Sequence, residues 1–236
     1  MVNDGKIKWI IFDFDEVISK SFYWYNLLLE EINKKISLDV DKGIKFLIKN
    51  ARPWFTGVWD EHKMLKELNN NLHVKIPFKL FDNAFHKTLL PDRKVLSVIM
   101  RLKKKGYKLG ILTDNPKIRV KKLSSHKNLS GVFHKITGSA YLKKTKKDKS
   151  VFNDLCRLLK VKTKNVLFID DNEENCKNAG NVGINVINFK LGKNNRKRLL
   201  TQINKYGCLL TIKVENQCTP CAQKVRNSRT LQLAIF

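Results

Sequence analysis

The segment at residues 7–17 has the sequence IKWIIFDFDEV, and it decides the fold class. Apart from Lys8, its first half consists of β-branched and aromatic residues, which is typical of a strand buried on both faces. Two carboxylates, Asp13 and Asp15, follow directly. A buried strand that runs into carboxylates predicts a parallel sheet with polar chemistry at the edge where its strands end.

Four more short apolar segments follow, at residues 108–113, 134–137, 165–170 and 185–189. The intervals between them carry apolar residues at helical spacing, at residues 93–105, 116–124, 149–160 and 173–181. Strands that alternate with helices of this length indicate βαβ units. We therefore predict an α/β fold, a three-layer Rossmann-like parallel sheet with helices on both faces.

One long interval interrupts this alternation. Its segments 21–35, 39–50 and 56–69 are helix-like and rich in aromatic residues, so the interval is too long for a connection and too apolar for a linker. We predict a small helical domain at residues 19–90, inserted into a core built from residues 1–18 and 91–207.

The alternating pattern ends before residues 208–236, which we treat as a tail without an assigned role. Cys218 and Cys221 have the spacing of half a zinc site, with Cys208 as a candidate third ligand. A terminal segment with incidental cysteines is the favoured interpretation.

The chain is strongly basic, with 47 Lys and Arg against 21 Asp and Glu and a formal charge of +26. Such a charge suggests a nucleic acid or another polyanion as partner. Lys, Asn and Ile are all abundant, however, and all three have A/T-rich codons. Because the basic residues are also spread along the chain, we favour a compositional bias, and a nucleic acid partner stays open but not favoured.

The apolar runs are all far shorter than the roughly 20 residues that span a bilayer, so an integral membrane protein is not expected. The first residues lack the pattern of a secretory signal. Five scattered cysteines do not suggest a disulfide framework. We expect a cytoplasmic monomer or homodimer.

Three of the predicted strands end in polar residues that the sheet would bring together. They are Asp13 and Asp15, the run Thr113, Asp114 and Asn115, and the pair Asp170 and Asp171. Helix capping explains any one of these carboxylates, but not a DxD and a DD together. Since crowded carboxylates repel one another, a hard cation is the natural compensation, and oxygen ligands favour Mg²⁺.

Four motifs resemble those of the haloacid dehalogenase (HAD) superfamily of phosphohydrolases. FDFDEV at residues 12–17 resembles the first motif, DxDx(T/V), and ILTDN at 111–115 is similar to the second. KKDKSVF at 146–152 is similar to the third, and VLFIDDNEEN at 166–175 resembles the fourth. The resemblance covers roughly residues 7–207 in the order and spacing of the family. It implies a HAD-like core and a helical cap inserted after the first motif.

The resemblance also implies roles for individual residues. Asp13 would be the nucleophile and Asp15 the general acid and base. The metal would be held by Asp13, by the main-chain carbonyl of Asp15, and by Asp170 or Asp171, a choice that the sequence leaves open. Glu16 occupies a position where many members have Gly.

The phosphoryl oxygens would be held by residues of the second and third motifs, namely Thr113, Asp114, Asn115 and Lys146. Spacing back from Phe152 selects Lys146, but Lys144 and Lys147 remain rivals. Lys147 stands where the third motif usually has Pro.

The implied activity is a Mg²⁺-dependent phosphatase that acts on a small phosphorylated metabolite, such as a sugar phosphate or nucleotide. Asp15 favours this activity, because family members that dehalogenate haloacids lack the second carboxylate. The candidates to line the cap are Arg52, Trp54, Phe55 and Trp59, although aromatic residues at helical spacing are more often core. The alternatives are a phosphatase acting on nucleic-acid ends and a non-catalytic polyanion-binding protein.

Overall fold

A computed structural model of the chain describes residues 6–20 and 24–208. Its five strands form one parallel sheet with the order β3-β2-β1-β4-β5. The strands are β1 (Trp9–Phe12), β2 (Lys108–Thr113), β3 (Lys135–Gly138), β4 (Val166–Asp170) and β5 (Asn185–Asn188). The predicted parallel α/β sheet is confirmed, and each strand lies within one or two residues of its predicted position.

Helices occupy the intervals between strands and the long insertion. Those of the insertion are α1 (Trp24–Asn33), α2 (Val40–Lys49), α3 (Ala51–Phe55), α4 (Glu61–Leu72) and α5 (Phe78–Ala84), followed by a 3-10 turn at Phe85–Thr88. The others are α6 (Arg93–Lys104), α7 (Lys117–Ser125), α8 (Ser139–Leu142), α9 (Ser150–Leu159), α10 (Glu173–Asn181) and α11 (Asn195–Asn204). A second 3-10 turn, Thr163–Asn165, precedes β4. Among the described residues, no helix is long and apolar enough to cross a membrane.

The sheet is covered on both faces, and β1 shows how. Alternate residues of a strand point to opposite faces, so Ile10 and Phe12 pack in one apolar cluster with residues of α6 and α11. Trp9 and Ile11 belong to a second cluster, which includes residues of α9 and α10. This two-sided burial explains why β1 is a continuous apolar run in the sequence.

The inserted helices build a further apolar cluster, which includes Trp24, Leu28, Trp54, Phe81 and Phe85, and Ile118 of the core helix α7 also packs in it. Trp54 is 1% exposed, so it is part of this core and not a cleft-lining residue. A separate cluster supports our proposal that residues 19–90 form a cap domain on the sheet.

Helix α4 begins later than the sequence analysis predicted, at Glu61 instead of residue 56. Gly57 has φ of +66°, which an α-helix does not permit. Asp60 caps the helix instead, because its side chain accepts a hydrogen bond from the Lys63 amide at 2.8 Å. The short helices α3 and α5, and helix α11, were not predicted.

The chain enters and leaves the insertion through two adjacent segments. The Leu90 amide donates to Ser19 Oγ at 3.1 Å, and the Asp92 amide donates to the Ile18 carbonyl at 2.7 Å. Ser19 is fully buried between these segments. The first of these two segments comes directly after Asp13 and Asp15, so together they hold the inserted helices next to the carboxyl end of β1. Cys218 and Cys221 lie outside the described residues.

Candidate active site

The register of the sheet brings the predicted site residues to one edge. Phe12 is aligned with Ile111 of β2 and Ile169 of β4. The next residue, Asp13, donates its amide hydrogen to the Ile169 carbonyl at 2.8 Å, so its side chain emerges beside Asp170. Parallel strands that end together thus create a cluster of carboxylates where ligands bind in α/β proteins.

A buried lysine lies between two of these carboxylates. Lys146 Nζ is 2.6 Å from Asp170 Oδ2, to which it donates a hydrogen bond, and 2.9 Å from Asp13 Oδ1. The contact with Asp13 is an ion pair that is not aligned as a hydrogen bond. Within residues 6–20 and 24–208, Asp13 Oδ1 is therefore a buried oxygen without a hydrogen-bond donor.

Of the three candidate lysines, Lys146 is the one inside the site, with 2% of its surface exposed. Lys144 instead pairs with Asp154 at 2.8 Å, and Lys147 is exposed. The main-chain amide of Lys146 donates to both oxygens of Asp114, each at 3.1 Å. Asp114 thus fixes the loop from which Lys146 enters the site.

Burial and mutual repulsion shift the pKa values of this cluster. Burial raises the pKa of Asp13 well above its ordinary value, Lys146 opposes that shift, and Asp170 and Asp15 add to it. Burial followed by the charge of Asp170 raises the pKa of Asp171 to about 6. Burial alone would lower the pKa of Lys146, but Asp13, Asp170 and Asp114 outweigh it and raise that pKa. The carboxylates therefore need more positive charge than Lys146 supplies.

The donor set fits a hard divalent cation. One oxygen from each of Asp13, Asp170 and Asp171 lies within 4.8 Å of the others. Asp170 is fixed by the Asn172 amide at 2.8 Å and by Asn175 Nδ2 at 3.1 Å. Three carboxylates, one of them with a buried oxygen that lacks a donor, are the ligand chemistry that Mg²⁺ prefers.

Asp15 points away from this cluster and is held by an arginine that the sequence analysis did not single out. Arg119 Nη1 donates to Asp15 Oδ2 at 2.6 Å, and Nη2 donates to Oδ1 at 2.8 Å. Both oxygens of Asp15 therefore accept hydrogen bonds from one guanidinium group, the strongest form of such a pair. Asn115 Nδ2 adds a third donor at 3.0 Å.

Arg119 is fully buried and joins the core to the insertion. It lies on α7 of the core, donates to the Thr88 carbonyl at 3.1 Å, and lies over the ring of Trp24 at 4.8 Å. Thr88 and Trp24 belong to the insertion. The sequence did contain a signal for Arg119, since it follows Asn115 by four residues and shares a helical face with Leu123.

The second-motif residues are buried next to this pair. Thr113 is 1% exposed, and its hydroxyl accepts a hydrogen bond from Asn115 Nδ2 at 2.6 Å. Asn115 also accepts from Arg119 Nη1 at 2.7 Å. Thr113 thus lies at the edge of the carboxylate cluster, while the amide of Asn115 is engaged in holding Asp15.

A family model described as haloacid dehalogenase-like hydrolase matches residues 10–189, which is most of the chain. The chain belongs to this family. A search of curated proteins found no match to this HAD-like hydrolase.

Solved structures share the fold at low sequence identity. A HAD family enzyme from Bacteroides thetaiotaomicron, in complex with magnesium and inorganic phosphate, has a TM-score of 0.63 and 19% identity over 80% of this chain and 96% of its own. A predicted HAD-like family hydrolase from Porphyromonas gingivalis has a TM-score of 0.62 and 17% identity over 84% and 98%. A 2-haloacid dehalogenase from Pseudomonas syringae pv. Tomato DC3000 has a TM-score of 0.59 and 14% identity over 76% and 85%.

Glu16, which departs from the first motif of the HAD-like hydrolases, has a strained main-chain conformation in this chain. Glu16 has φ of +58°, in the left-handed region that glycine adopts without strain. Its main chain is tied down on both sides, since its amide donates to the Ser19 carbonyl and its carbonyl accepts from the Leu191 amide, both at 2.7 Å. Glu16 therefore lies in a tight turn whose main chain suits glycine better than glutamate.

The inserted helices contact the core of this HAD-like hydrolase close to the site. Glu61 Oε1 accepts from the Ile118 amide at 2.6 Å, and Lys122 Nζ pairs with Asp82 at 2.6 Å. Lys143 Nζ donates to the Gly57 carbonyl at 3.2 Å. The side chain of Asp13 is 10% exposed in this arrangement.

Proposed function

We propose that this HAD-like hydrolase is a Mg²⁺-dependent phosphatase acting on a phosphate monoester of a small metabolite, a sugar phosphate or nucleotide. The observation that carries the proposal is the pairing of a carboxylate cluster around Lys146 with a second carboxylate, Asp15, two residues after Asp13. A phosphatase needs both a nucleophile and an acid for its alkoxide leaving group.

In the proposed reaction a carboxylate oxygen of Asp13 attacks phosphorus in line with the ester bond. The bond from phosphorus to the ester oxygen breaks, and Asp15 gives a proton to the departing alkoxide, so that an aspartyl-phosphate remains on Asp13. Asp15, now ionised, takes a proton from a water molecule that attacks the same phosphorus. Inorganic phosphate leaves, and Asp13 is regenerated.

The other residues serve to place charge. Mg²⁺ would be held by Asp13, Asp170, Asp171 and the main-chain carbonyl of Asp15. There it would neutralise negative charge on the transferred phosphoryl group. Lys146 supplies a second positive charge, and Thr113 supplies a hydroxyl donor to a phosphoryl oxygen. Because the Asp114 carboxylate accepts from the Lys146 amide, its proposed contribution is to position Lys146.

A haloacid dehalogenase is the competing activity within the family, and a solved relative in fold bears that description. In a dehalogenase Asp13 would attack carbon and expel a halide ion, which needs neither a proton nor a metal. Asp15 and the oxygen cluster of Asp13, Asp170 and Asp171 would then have no part in the chemistry, so their presence favours phosphate-ester hydrolysis.

The test is to measure both activities on the same preparation. We expect phosphate release from p-nitrophenyl phosphate and from a panel of sugar phosphates and nucleotides, dependent on added Mg²⁺, and no halide release from 2-chloropropionate. Asp13→Asn should lose at least about a thousandfold in kcat. The matched control is Asp148→Asn, an exposed carboxylate near the site, which should retain activity. Halide release without phosphate release, or a fully active Asp13→Asn, would refute the proposal.

A further inference from the structure

The edge of the sheet opposite the candidate active site carries lysines without acidic residues among the described residues. The connections at the amino ends of the strands cover residues 6–8, 104–108, 131–135, 160–165, 182–185 and 204–208. Among these described residues there is no Asp or Glu, and there are ten lysines: Lys6, Lys8, Lys104, Lys105, Lys108, Lys135, Lys160, Lys162, Lys164 and Lys205. We call this the amino edge.

The opposite edge carries both signs of charge. The segments that directly follow β1, β2 and β4 contain seven acidic residues: Asp13, Asp15, Glu16, Asp114, Asp171, Glu173 and Glu174. The segments that follow β3 and β5 add one acid, Asp148, and seven lysines: Lys143, Lys144, Lys146, Lys147, Lys149, Lys190 and Lys193. A codon bias toward lysine raises the lysine content everywhere, but it does not remove acidic residues from one end of a sheet, so the acid-free amino edge needs an explanation beyond composition.

Two adjoining cavities make the amino edge concave. The first has a volume of about 670 Å³, and its basic lining residues are Lys6, Lys8, Lys105, Lys108 and Lys160. The second has a volume of about 720 Å³ and shares Lys160 and Val161 with the first. Its other basic lining residues are Arg157, Lys162 and Lys164. The two cavities together form a continuous basic groove without an acidic lining residue.

Four of the lining lysines form no ion pair with an acidic residue in the described part of the chain, as is also true of Lys42, Lys45 and Lys49 on the inserted helices. Lys8, Lys105, Lys108 and Lys160 are exposed, and no acidic partner pairs with them among residues 6–20 and 24–208. A groove on the inserted helices offers a contrast, since its lysines Lys42, Lys45 and Lys49 share the lining with Glu67. Lysines that line one cavity repel one another, and a polyanion relieves that repulsion.

We propose that this groove binds the phosphate backbone of single-stranded nucleic acid. Eight basic residues are spread over two adjoining cavities, one of them Arg157, which also pairs with Asp154, and such a spread allows contacts with several phosphates along an extended chain. The segment that continues from this edge, residues 209–236, is itself basic, with four Lys or Arg and one Glu, so its sequence does not supply the missing negative charge. The proposal does not depend on the phosphatase activity.

The experiment compares two variants with the same loss of charge. The groove variant replaces Lys8, Lys105, Lys108 and Lys160 by Gln, and the control variant replaces Lys42, Lys45, Lys49 and Lys79, which are equally exposed. Binding of a fluorescein-labelled 20-nucleotide oligouridylate is followed by anisotropy between 50 and 300 mM salt. Each phosphate contact contributes about 0.7 to the slope of log affinity against log salt.

We expect the groove variant to bind at least about tenfold more weakly at 50 mM salt, with a slope shallower by roughly 2 to 3, and the control variant to bind like the wild type. Both variants should retain the hydrolase activity of the wild type, because the groove lies at the far edge of the sheet. Equal losses in the two variants would overturn the proposal in favour of unspecific attraction by net charge. Binding of phosphatidylserine vesicles through these lysines, without oligonucleotide binding, would overturn it in favour of a membrane surface.

Discussion

Arg119 and Asp15 form a largely buried ion pair whose contribution to stability can be measured by removing one partner. Arg119→Met keeps most of the side-chain volume and removes the guanidinium group. The variant loses two hydrogen bonds to Asp15 at 2.6 and 2.8 Å, one to Asn115 at 2.7 Å, and the contacts with Thr88. Asp15, with a fifth of its side chain exposed, is left without its counter-charge.

The size of the effect follows from this burial. Breaking a buried ion pair by removing one partner costs about 3–5 kcal/mol. Partial exposure of Asp15 places the expected loss at the lower end, about 3 kcal/mol in the free energy of unfolding. For a chain of this length such a loss lowers the Tm by roughly 6–12 °C. Arg119→Lys keeps the charge but not the two-pronged geometry, so its loss should be intermediate.

The assay is urea unfolding of four proteins: wild type, Arg119→Met, Asp15→Asn and the double variant. We expect a coupling free energy of about 2 kcal/mol or more between the two sites. Lys122→Met is the matched control on the same helix; its pair with Asp82 is more exposed, so its loss should stay below about 1 kcal/mol. A coupling energy near zero, or equal losses for Arg119→Met and Lys122→Met, would refute the reasoning.

Three further predictions test other parts of the structure. Lys146→Met removes the positive charge from inside the carboxylate cluster, so the Tm should fall by roughly 10 °C. In a thermal-shift assay, millimolar Mg²⁺ should restore part of this loss in Tm. A Tm that does not respond to Mg²⁺ would contradict the metal site. Gly138→Ala places a Cβ 2.6 Å from a backbone oxygen of β2 and should lower the free energy of unfolding in urea by about 1–3 kcal/mol. Gly180→Ala has open space around the new Cβ and should be neutral or stabilising by up to about 1 kcal/mol. Similar values for the two variants would contradict this packing. Burial raises the pKa of Cys156 and Cys176 to about 11, so about one thiol in a thousand is ionised at pH 8. Both cysteines should therefore react far more slowly with a disulfide reagent in the native protein than in urea. Equal reaction rates would show that they are not buried.

The strands and the main helices could be predicted because they depend on local patterns. A continuous apolar run predicts a strand covered on both faces, and β2 was placed at its observed residues, Lys108–Thr113. Parallel strands then bring their carboxyl ends to one edge, which was enough to group Asp13 with Asp170. Short helices such as α3 and α5 were missed because packing of the aromatic cluster, more than sequence periodicity, stabilises them.

The partners within the site were not predicted, because their pairing depends on contacts distant in the sequence, and the local signal for Arg119 does not name its partner. Arg119 lies 104 residues from Asp15, and a single arginine on an amphipathic helix is most often a solvated residue. The role of Asp114 was equally hidden, since the contact of its carboxylate with the Lys146 amide depends on how the third-motif loop folds back over β2. Sequence patterns identified which chemical groups gather at the edge, and the structure shows which groups hold the others in place.

The hydrogen bonds of Asp15 bear on how the proposed reaction would begin. A carboxylate whose two oxygens both accept from a guanidinium group carries no proton to give to a leaving alcohol. Asp15 must therefore separate from Arg119 before it can act as an acid. Arg119 also contacts Thr88 and Trp24, so a movement of the inserted helices changes the surroundings of the same guanidinium group. In the proposed reaction, a movement of the inserted helices that separates Arg119 from Asp15 would therefore have to come before Asp15 acts as an acid.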